Sequence, residues 1–325
     1  MKSLSDIKGR RILYVATKNS DYLRLVQEIE LLRRGGNKIH VISSGKKSYF
    51  KRLLYVYRRL LSVDMNDYDM SFIGFAPQLV IPLFGRKLRK KPIIEDFFIS
   101  LYDTICFDRK KFRPKGIVGK ILKHIDKKTL AAANLAICDT KAHGGYFCKE
   151  FGFPAEKMSV LYLEADRSIY YPRESPANKD FTVLYFGSVL PLQGVSVILK
   201  AIDLLKDEKG LRFVFVGPLG KKNARTGENI TEYINWLPQE ELAEKIAGAD
   251  LCLAGHFDGS IMKAKRTIAG KTYIYRAMGK PVILGDNPAN HELYSASDEG
   301  IYFCEMGSPE KLAELIKSIK DKRRI

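Results

Sequence analysis

The sequence predicts an α/β fold of two doubly wound domains, each with a parallel sheet covered by helices on both faces. Short apolar runs rich in β-branched and aromatic residues alternate with amphipathic helical patterns along the whole chain. The apolar runs are nearly continuous, as strands buried on both faces require. The length of 325 residues suits two domains better than one.

Each half of the chain carries six predicted strands with helical patterns between them. In the first half the strands are Arg11–Thr17, Lys38–Ser44, Met70–Phe75, Pro92–Phe98, Asn134–Thr140 and Met158–Leu163. In the second half they are Phe181–Phe186, Leu211–Val216, Ile230–Asn235, Leu251–Ala254, Pro281–Gly285 and Ile301–Cys304. The clearest helical patterns cover Asp21–Arg34, Val195–Leu205, Gln239–Ala247, Lys271–Met278 and Pro309–Ile319.

The segment Glu164–Asp180 is rich in Pro, Ser and charged residues, and this composition is typical of a linker. It predicts one domain over residues 1–165 and a second over residues 166–325. In sheets of this class, ligands bind beyond the carboxyl ends of the strands, so the functional residues are expected in the loops that follow them.

The net charge of +18 is distributed unevenly between the two halves. Residues 1–165 carry 32 Lys and Arg against 16 Asp and Glu, whereas residues 166–325 carry 23 against 21. A basic half could face nucleic acid, anionic lipid or a phosphorylated substrate. No motif that reads a nucleic-acid groove is present, so nucleic acid is not an expected partner.

The remaining composition narrows the class of protein. The five cysteines are scattered and form no C-x-x-C pair, which argues against a disulfide framework or a structural zinc site and favours a reducing compartment. The chain begins without the apolar segment of a secretory signal, so we expect a cytoplasmic protein rather than a periplasmic binding protein. ATKNSDY follows the first strand in place of a glycine fingerprint, which disfavours a dehydrogenase.

A group of cations precedes a predicted helix in the second half. Lys263, Lys265, Arg266 and Lys271 fall within nine residues, beside the helix start after Ala269-Gly270. The N-terminus of a helix attracts anions, and basic residues on the loop that enters it strengthen the attraction. The segment is therefore either a diphosphate site or a solvated basic loop, and its place at a strand-to-helix turn favours the anion site.

A glycine-bearing loop lies upstream, in Phe186–Leu205. A predicted strand runs into Gly187, a short loop carries Gly194, and an amphipathic helix follows. Glycines at these positions would let backbone amides approach a phosphate, although glycines in such loops often only turn the chain.

These two segments, in this order, resemble the donor-binding domain of GT-B glycosyltransferases of family 4, the group 1 transferases. Phe186–Gly194 is similar to the glycine loop of that family, and AMGKPVILGD (Ala277–Asp286) to the segment after its donor site. In the first half, LYDTICFDR (Leu101–Arg109) and CDTKAH (Cys138–His143) are also similar to members of this group.

The resemblance implies two Rossmann-like domains that face a central cleft, with the acceptor held by residues 1–165 and the donor by residues 166–325. It implies transfer of a sugar from a nucleotide diphosphate donor, with retention at the anomeric carbon. The acceptor would be a lipid-linked or envelope glycan. The nucleotide sugar would be a substrate, and no cofactor is expected.

The resemblance also implies roles for particular residues. Lys263, Arg266 and Lys271, helped by Gly187 and Gly194, would hold the diphosphate as its charge grows during departure. On the acceptor side, two carboxylates near the carboxyl end of a predicted strand are the candidate catalytic residues, and they could equally bind acceptor hydroxyls or cap a helix: Asp96 and Asp103.

The chain departs from the family pattern at two functional positions. The Glu that usually holds the nucleotide ribose is replaced by Ile274, and the usual Lys of the glycine loop is replaced by Gln193. These departures leave two alternatives to an active transferase: a catalytically inactive GT-B partner subunit at the membrane, or a nucleotide-sugar epimerase of the same fold.

The tripeptide Asp67-Tyr68-Asp69 matches the D-x-D motif that binds a divalent metal in another transferase fold. Here it precedes a predicted strand, whereas the metal motif follows one. We therefore interpret it as a polar turn and expect no metal.

The segment Lys46–Ser62 carries six basic residues and no acidic one. On a helical wheel one face holds Phe50, Leu53, Leu54, Tyr57, Leu60 and Leu61, and the opposite face holds Lys51, Arg52, Arg58 and Arg59. The helix could pack on its own sheet or dock on anionic lipid headgroups. Two further basic runs, Arg86–Lys91 and Arg109–Lys115, add to the charge of the same domain and make peripheral membrane contact a reasonable expectation.

Overall fold

The computed structural model describes residues 3–19, 21–174, 178–220 and 230–322. The chain divides into two units, Met1–Leu163 and Glu164–Ile325. The predicted linker Glu164–Asp180 therefore belongs to the start of the second unit, and its residues 175–177 lie outside the described part of the chain.

The first unit contains a parallel six-stranded sheet in the order β2-β1-β3-β4-β5-β6. Its strands are β1 (Arg11–Ala16), β2 (Lys38–Ile42), β3 (Met70–Gly74), β4 (Ile93–Asp96), β5 (Leu135–Cys138) and β6 (Met158–Val160). Its helices are α1 (Leu23–Arg34), α2 (Tyr49–Ser62), α3 (Ile81–Leu88), α4 (Ile117–Leu130) and α5 (Lys141–Phe151). A π-helical turn covers Asp103–Asp108.

The second unit contains another parallel sheet, in the order β12-β11-β10-β7-β8-β9. Its strands are β7 (Phe181–Phe186), β8 (Leu211–Val216), β9 (Thr231–Ile234), β10 (Leu251–Leu253), β11 (Val282–Gly285) and β12 (Ile301–Cys304). Its helices are α6 (Val195–Leu204), α7 (Gln239–Ala247), α8 (Gly270–Ala277) and α9 (Pro309–Lys322). The order reverses between β7 and β10, which is where a doubly wound sheet opens a crevice for a ligand.

Both sheets are covered on both faces because successive side chains of a strand point to opposite sides. In β1, Tyr14 packs with Ile29 of α1, whereas its neighbour Leu13 packs with Val56 of α2. The strands of the second unit divide their side chains in the same way. This arrangement confirms the predicted fold class of two doubly wound α/β domains.

Several strands end earlier than the sequence pattern predicts, and at β5 the reason is a polar residue that starts the next helix. Thr140, predicted as the end of β5, instead caps α5, where its hydroxyl accepts a hydrogen bond from the amide of His143 at 3.0 Å. Helix α8 begins at Gly270, one residue before the predicted start.

Within the described residues, none of the helices combines the length and the apolar character that a membrane span requires.

One acidic side chain inside the first unit, Glu95, has no ion-pair partner among the described residues. Glu95 of β4 is fully buried, and neither carboxyl oxygen has a hydrogen-bond partner. Burial raises the pKa of Glu95 well above its ordinary value. Between those two pKa values the folded protein keeps a proton that the unfolded chain releases, so folding stability falls as the pH rises.

We therefore expect the stability of Glu95→Gln relative to the wild type to increase as the pH is raised from 5 to 8, because only the wild type must keep a proton that the unfolded chain releases. Urea unfolding followed by circular dichroism at both pH values measures the difference. Glu156→Gln, at an exposed position of the same unit, is the control and should show no such change. An equal stability difference for Glu95→Gln at both pH values would contradict the prediction.

Candidate functional site

The reversal of strand order in the second unit brings the loop after β7 and the loop after β10 to one place. Gly187 follows β7, Gly255 follows β10, and Gln193 lies on the turn that leads into α6. Lys271, in the first turn of α8, reaches all three. We call these four residues the glycine-lysine site.

Lys271 is the charged group of this site, and it is only 7% exposed. Its Nζ donates to Gln193 Oε1 at 2.5 Å and lies 4.9 Å from the centroid of the Tyr185 ring. Among the described residues, no carboxylate lies within ion-pair distance of it. Burial lowers the pKa of Lys271 to about 7, because the interior disfavours its charged form.

The glycines of the site leave the space that Lys271 fills. A Cβ at Gly187 would lie 3.0 Å from Lys271 Cε, and one at Gly255 would lie 2.6 Å from Gln193 Oε1. Both glycines also have positive φ angles, +145° and +80°, which other residues rarely adopt. A larger residue at either position would displace the lysine.

The amides of the two predicted glycines, Gly187 and Gly194, both donate within the chain. The amide of Gly187 donates to Val216 O at 2.9 Å, and that of Gly194 donates to Pro191 O at 3.0 Å. Both amides are thus used within the chain. Gly194, at φ +66°, instead permits a close approach to the loop after β10, since a Cβ there would lie 2.5 Å from the amide nitrogen of Asp258.

Of the three predicted cations, Lys271 contacts the glycine turns directly, and the 3-10 turn that carries Lys263 lies beside the turn that carries Gln193. Lys263 lies on the 3-10 turn Met262–Lys265, and Arg266 follows it. Both side chains are half-buried on the segment that leads into α8. This segment is held by the Thr267 hydroxyl, which donates to Lys263 O at 3.0 Å.

His256 is a residue of this region that the sequence pattern did not single out. It is 4% exposed, directly follows Gly255, and has a left-handed backbone at φ +59°. Its Nδ1 donates to Thr267 O at 3.0 Å. Left-handed non-glycine residues cost about 1–3 kcal/mol and concentrate at functional sites. A lone histidine after a short strand gives no sequence signal of this kind.

Residues 180–321 match the family described as glycosyl transferases group 1. The second unit is a group 1 glycosyltransferase domain. This match, which spans nearly the whole unit, confirms the family resemblance and the prediction of a glycosyltransferase. No curated protein matches the chain in sequence.

Solved structures with the GT-B fold are similar to the whole chain. HepE of Anabaena in complex with UDP is 14% identical, with a TM-score of 0.62 over 97% of this chain and 91% of HepE. Sucrose-phosphate synthase of Thermosynechococcus elongatus is 12% identical, with a TM-score of 0.64 over 95% of this chain and 90% of the synthase. The catalytic domain of starch synthase IV of Arabidopsis thaliana, bound to ADP and acarbose, is 12% identical, with a TM-score of 0.62 over 96% and 92%.

Both residues that depart from the family pattern make contacts within the group 1 domain. Ile274, in place of the ribose-binding Glu, is half-buried and packs against the core on one face of the sheet. Gln193, in place of the loop Lys, accepts the hydrogen bond from Lys271. Lys271 therefore brings a cation next to the position at which the family pattern has a Lys.

The two carboxylates predicted on the acceptor side of the glycosyltransferase are buried. Asp96 is 0% exposed, and both of its oxygens accept hydrogen bonds from Arg24 at 2.7–2.9 Å. Asp103 is 1% exposed in the π-helical turn, where its amide donates to Ser100 Oγ at 2.9 Å. The pairing with Arg24 favours a structural role for Asp96 over contact with substrate.

The D-x-D tripeptide of the glycosyltransferase precedes β3, as predicted. Asp69 accepts hydrogen bonds from the amide of Arg11 at 2.8 Å and from its guanidinium at 3.3 Å, and these bonds lower the pKa of Asp69. The side chain thus joins the start of β1 to the start of β3. Among the described residues, no group of three or more His, Cys, Asp or Glu side chains is arranged to hold a metal ion.

Proposed function

We propose that this glycosyltransferase moves a sugar from a nucleotide diphosphate donor, bound at the glycine-lysine site, to a glycan or glycolipid acceptor held by the first unit. The proposed transfer retains the configuration at the anomeric carbon and uses no metal. HepE has been solved in complex with UDP-glucose, which supports a nucleotide sugar as the donor.

The observation that carries this proposal is a buried lysine with no acidic partner among the described residues. Lys271 lies in the first turn of α8, at the reversal point of the sheet, between two glycine turns. A buried cation is costly unless an anion compensates it. The N-terminus of a helix also favours a bound anion. A diphosphate supplies that anion.

The proposed transfer reaction also requires a cation at the diphosphate. As the bond between the anomeric carbon and the diphosphate oxygen breaks, negative charge accumulates on the departing phosphate. A cation held in a site with little water stabilises that charge more strongly than one in bulk water. Lys271 is held in place by Gln193 and the Tyr185 ring, so little rearrangement is needed as the reaction proceeds.

Product analysis with purified protein tests the proposal against its two alternatives. The protein is incubated with sugar nucleotides of UDP, GDP, ADP and CDP and with mixed glycan and glycolipid acceptors. Sugar transfer supports the proposal, whereas isomerisation of the donor sugar indicates an epimerase. The replacement of the ribose-binding Glu by Ile274 is the observation that favours an inactive partner subunit. The absence of both products would support that alternative.

We further propose that the first unit contacts anionic lipid at the inner face of a membrane, through helix α2. The face predicted to be apolar is divided in the structure. Leu60 is buried, with Leu53 half-buried beside it, whereas Phe50 and Leu61 are 74% and 71% exposed. An exposed apolar stripe beside basic residues suits the boundary between lipid headgroups and acyl chains.

We expect the protein to cosediment with anionic vesicles but not with neutral ones. Added salt should release it from the anionic vesicles, because it screens the charges. Replacing the exposed Lys51, Arg58 and Arg59 by Gln should weaken binding on the order of a hundredfold, at about 1 kcal/mol for each charge. Gln at the exposed Lys200, Lys206 and Lys209 of the second unit is the charge-matched control. Equal binding to neutral and anionic vesicles, or no loss in the α2 variant, would show that α2 is only a packed surface helix.

A further inference from the structure

The sheet of the first unit also reverses its order, between β1 and β3. The chain goes from β1 to β2 on one side, and β3 then lies on the other side of β1. The loops after β1 and β3 therefore border the crevice of this unit. The group 1 match, over residues 180–321, does not extend to this region.

The loop after β3 is strained at this point. Phe75 and Ala76 are consecutive non-glycine residues with left-handed backbones, at φ +52° and +53°. Such residues cost about 1–3 kcal/mol each and persist where the surroundings hold them. Thr17, after β1, contributes one of these restraints, because its hydroxyl donates to Phe75 O at 2.9 Å.

The strained loop places Phe75 among other aromatic rings. Its ring centroid lies 5.5 Å from that of Tyr22 and 5.8 Å from that of Phe98, and both pairs meet edge to face. All three side chains are half-buried, so part of each ring remains accessible. Together they form a continuous aromatic surface beside the crevice.

One cation, Lys18, lies over two of these rings, and a second, Arg52, bonds to the neighbouring loop residue Asn19. Lys18 Nζ lies 5.6 Å from the ring centroids of both Tyr22 and Phe75. Arg52 of α2 donates to Asn19 Oδ1 at 3.1 Å, and its Nε is buried without a hydrogen-bond partner. In the described part of the chain, no carboxylate lies within ion-pair distance of either cation. We call Lys18, Tyr22, Arg52, Phe75 and Phe98 the aromatic edge.

We propose that the aromatic edge binds a phosphorylated saccharide as the acceptor of the transfer. A sugar ring presents an apolar face of C–H groups that packs on aromatic rings, and a phosphate accepts charge-assisted hydrogen bonds from Lys and Arg. The proposal rests on the proposed function, since it names the acceptor class for that reaction. It also moves the expected acceptor contacts from Asp96 and Asp103 to residues that are partly exposed.

NMR titration tests the proposal with glucose 1-phosphate, glucose and inorganic phosphate as probes. A saturating nucleoside diphosphate is present throughout, so that the glycine-lysine site is occupied. We expect glucose 1-phosphate to bind more tightly than either other probe. Lys18→Gln should weaken it at least about fivefold without changing the binding of glucose, whereas Phe98→Leu should weaken both.

Phe112→Leu and Lys111→Gln, at exposed positions elsewhere in the first unit, are the matched controls and should bind all probes as the wild type does. The octyl phosphodiester of glucose distinguishes two sources of the ligand. Tighter binding than glucose 1-phosphate indicates a lipid-linked acceptor, and equal binding indicates a free sugar phosphate.

Three results have separate meanings. If the nucleoside diphosphate binds but glucose 1-phosphate does not, or if Lys18→Gln binds it unchanged, the aromatic edge is not the acceptor site. Inorganic phosphate binding as tightly as glucose 1-phosphate would reduce the edge to an anion site and overturn the saccharide assignment. If no nucleoside diphosphate binds, the proposed function itself is wrong.

Discussion

Replacing Lys271 by methionine is expected to weaken nucleoside diphosphate binding at least about tenfold. The wild-type amine lies where the diphosphate is proposed to bind, and its loss removes a charge-assisted hydrogen bond worth about 1.5–3 kcal/mol. Methionine fills a similar volume and needs no compensation for charge. We therefore expect the free variant to be at least as stable as the wild type, because burial disfavours the charged form of Lys271.

A thermal-shift screen first identifies which of UDP, GDP, ADP and CDP stabilises the wild type most. Isothermal titration calorimetry with that nucleotide then measures the change in affinity. Lys200→Met is the matched control, because Lys200 is exposed on α6 of the same unit. Its binding should be unchanged. Equal affinity of the Lys271 variant and the wild type would remove Lys271 from the donor site.

The same lysine predicts how wild-type affinity depends on pH. With a pKa of about 7 in the free protein, Lys271 loses its proton above neutral pH, whereas a bound diphosphate favours the charged form. Binding above pH 7 must then take up a proton. The affinity should fall by up to about tenfold for each pH unit above 7. The Lys271 variant should lack this dependence.

The elements that build the donor site were largely predictable from sequence, because each depends on local patterns. Strand β7 has the predicted bounds, since four of its six residues are buried and the polar Ser188 and Gly187 end it. The start of helix α8 is predicted to within one residue, because Gly270 marks the turn at which the helix begins. The cation at its start, Lys271, was named for the same reason.

The partner of that cation could not be predicted, because it lies 78 residues away in the sequence. Gln193 stood out as a missing family Lys, yet only the packed turn brings its amide oxygen to the Lys271 amine. The left-handed backbone of His256 is also set by tertiary packing. For the same reason, sequence could not tell that the amides of Gly187 and Gly194 are used within the chain.

The first unit illustrates the limit more sharply. A carboxylate at the end of a strand is a reasonable catalytic candidate, and Asp96 occupies such a position. Whether it faces solvent or the interior depends on what α1 brings over the sheet. Arg24 of α1 covers it completely, and no sequence pattern connects two residues that lie 72 positions apart.

Asp96→Ala is expected to destabilise the first unit by about 3 kcal/mol or more, because it leaves the buried Arg24 without its main partner. Arg24 and Asp96 are 3% and 0% exposed and are joined by three hydrogen bonds. Glu28 offers partial compensation, since its carboxylate lies 3.4 Å from Arg24. Burial and the charge of Asp96 raise the pKa of Glu28, so loss of Asp96 should let Glu28 ionise more readily.

Urea unfolding measures the loss, and Asp67→Ala, at an exposed position of the same unit, should cost little. The double variant Arg24→Met, Asp96→Leu should recover much of the stability, because it removes both buried charges together. A small loss in Asp96→Ala would mean that Asp96 does not hold Arg24. Transfer activity per folded molecule of the isosteric Asp96→Asn, measured at low temperature, separates the two roles of this carboxylate. If Asp96 is structural, the folded variant keeps its activity. If Asp96 is catalytic, the folded variant loses its activity.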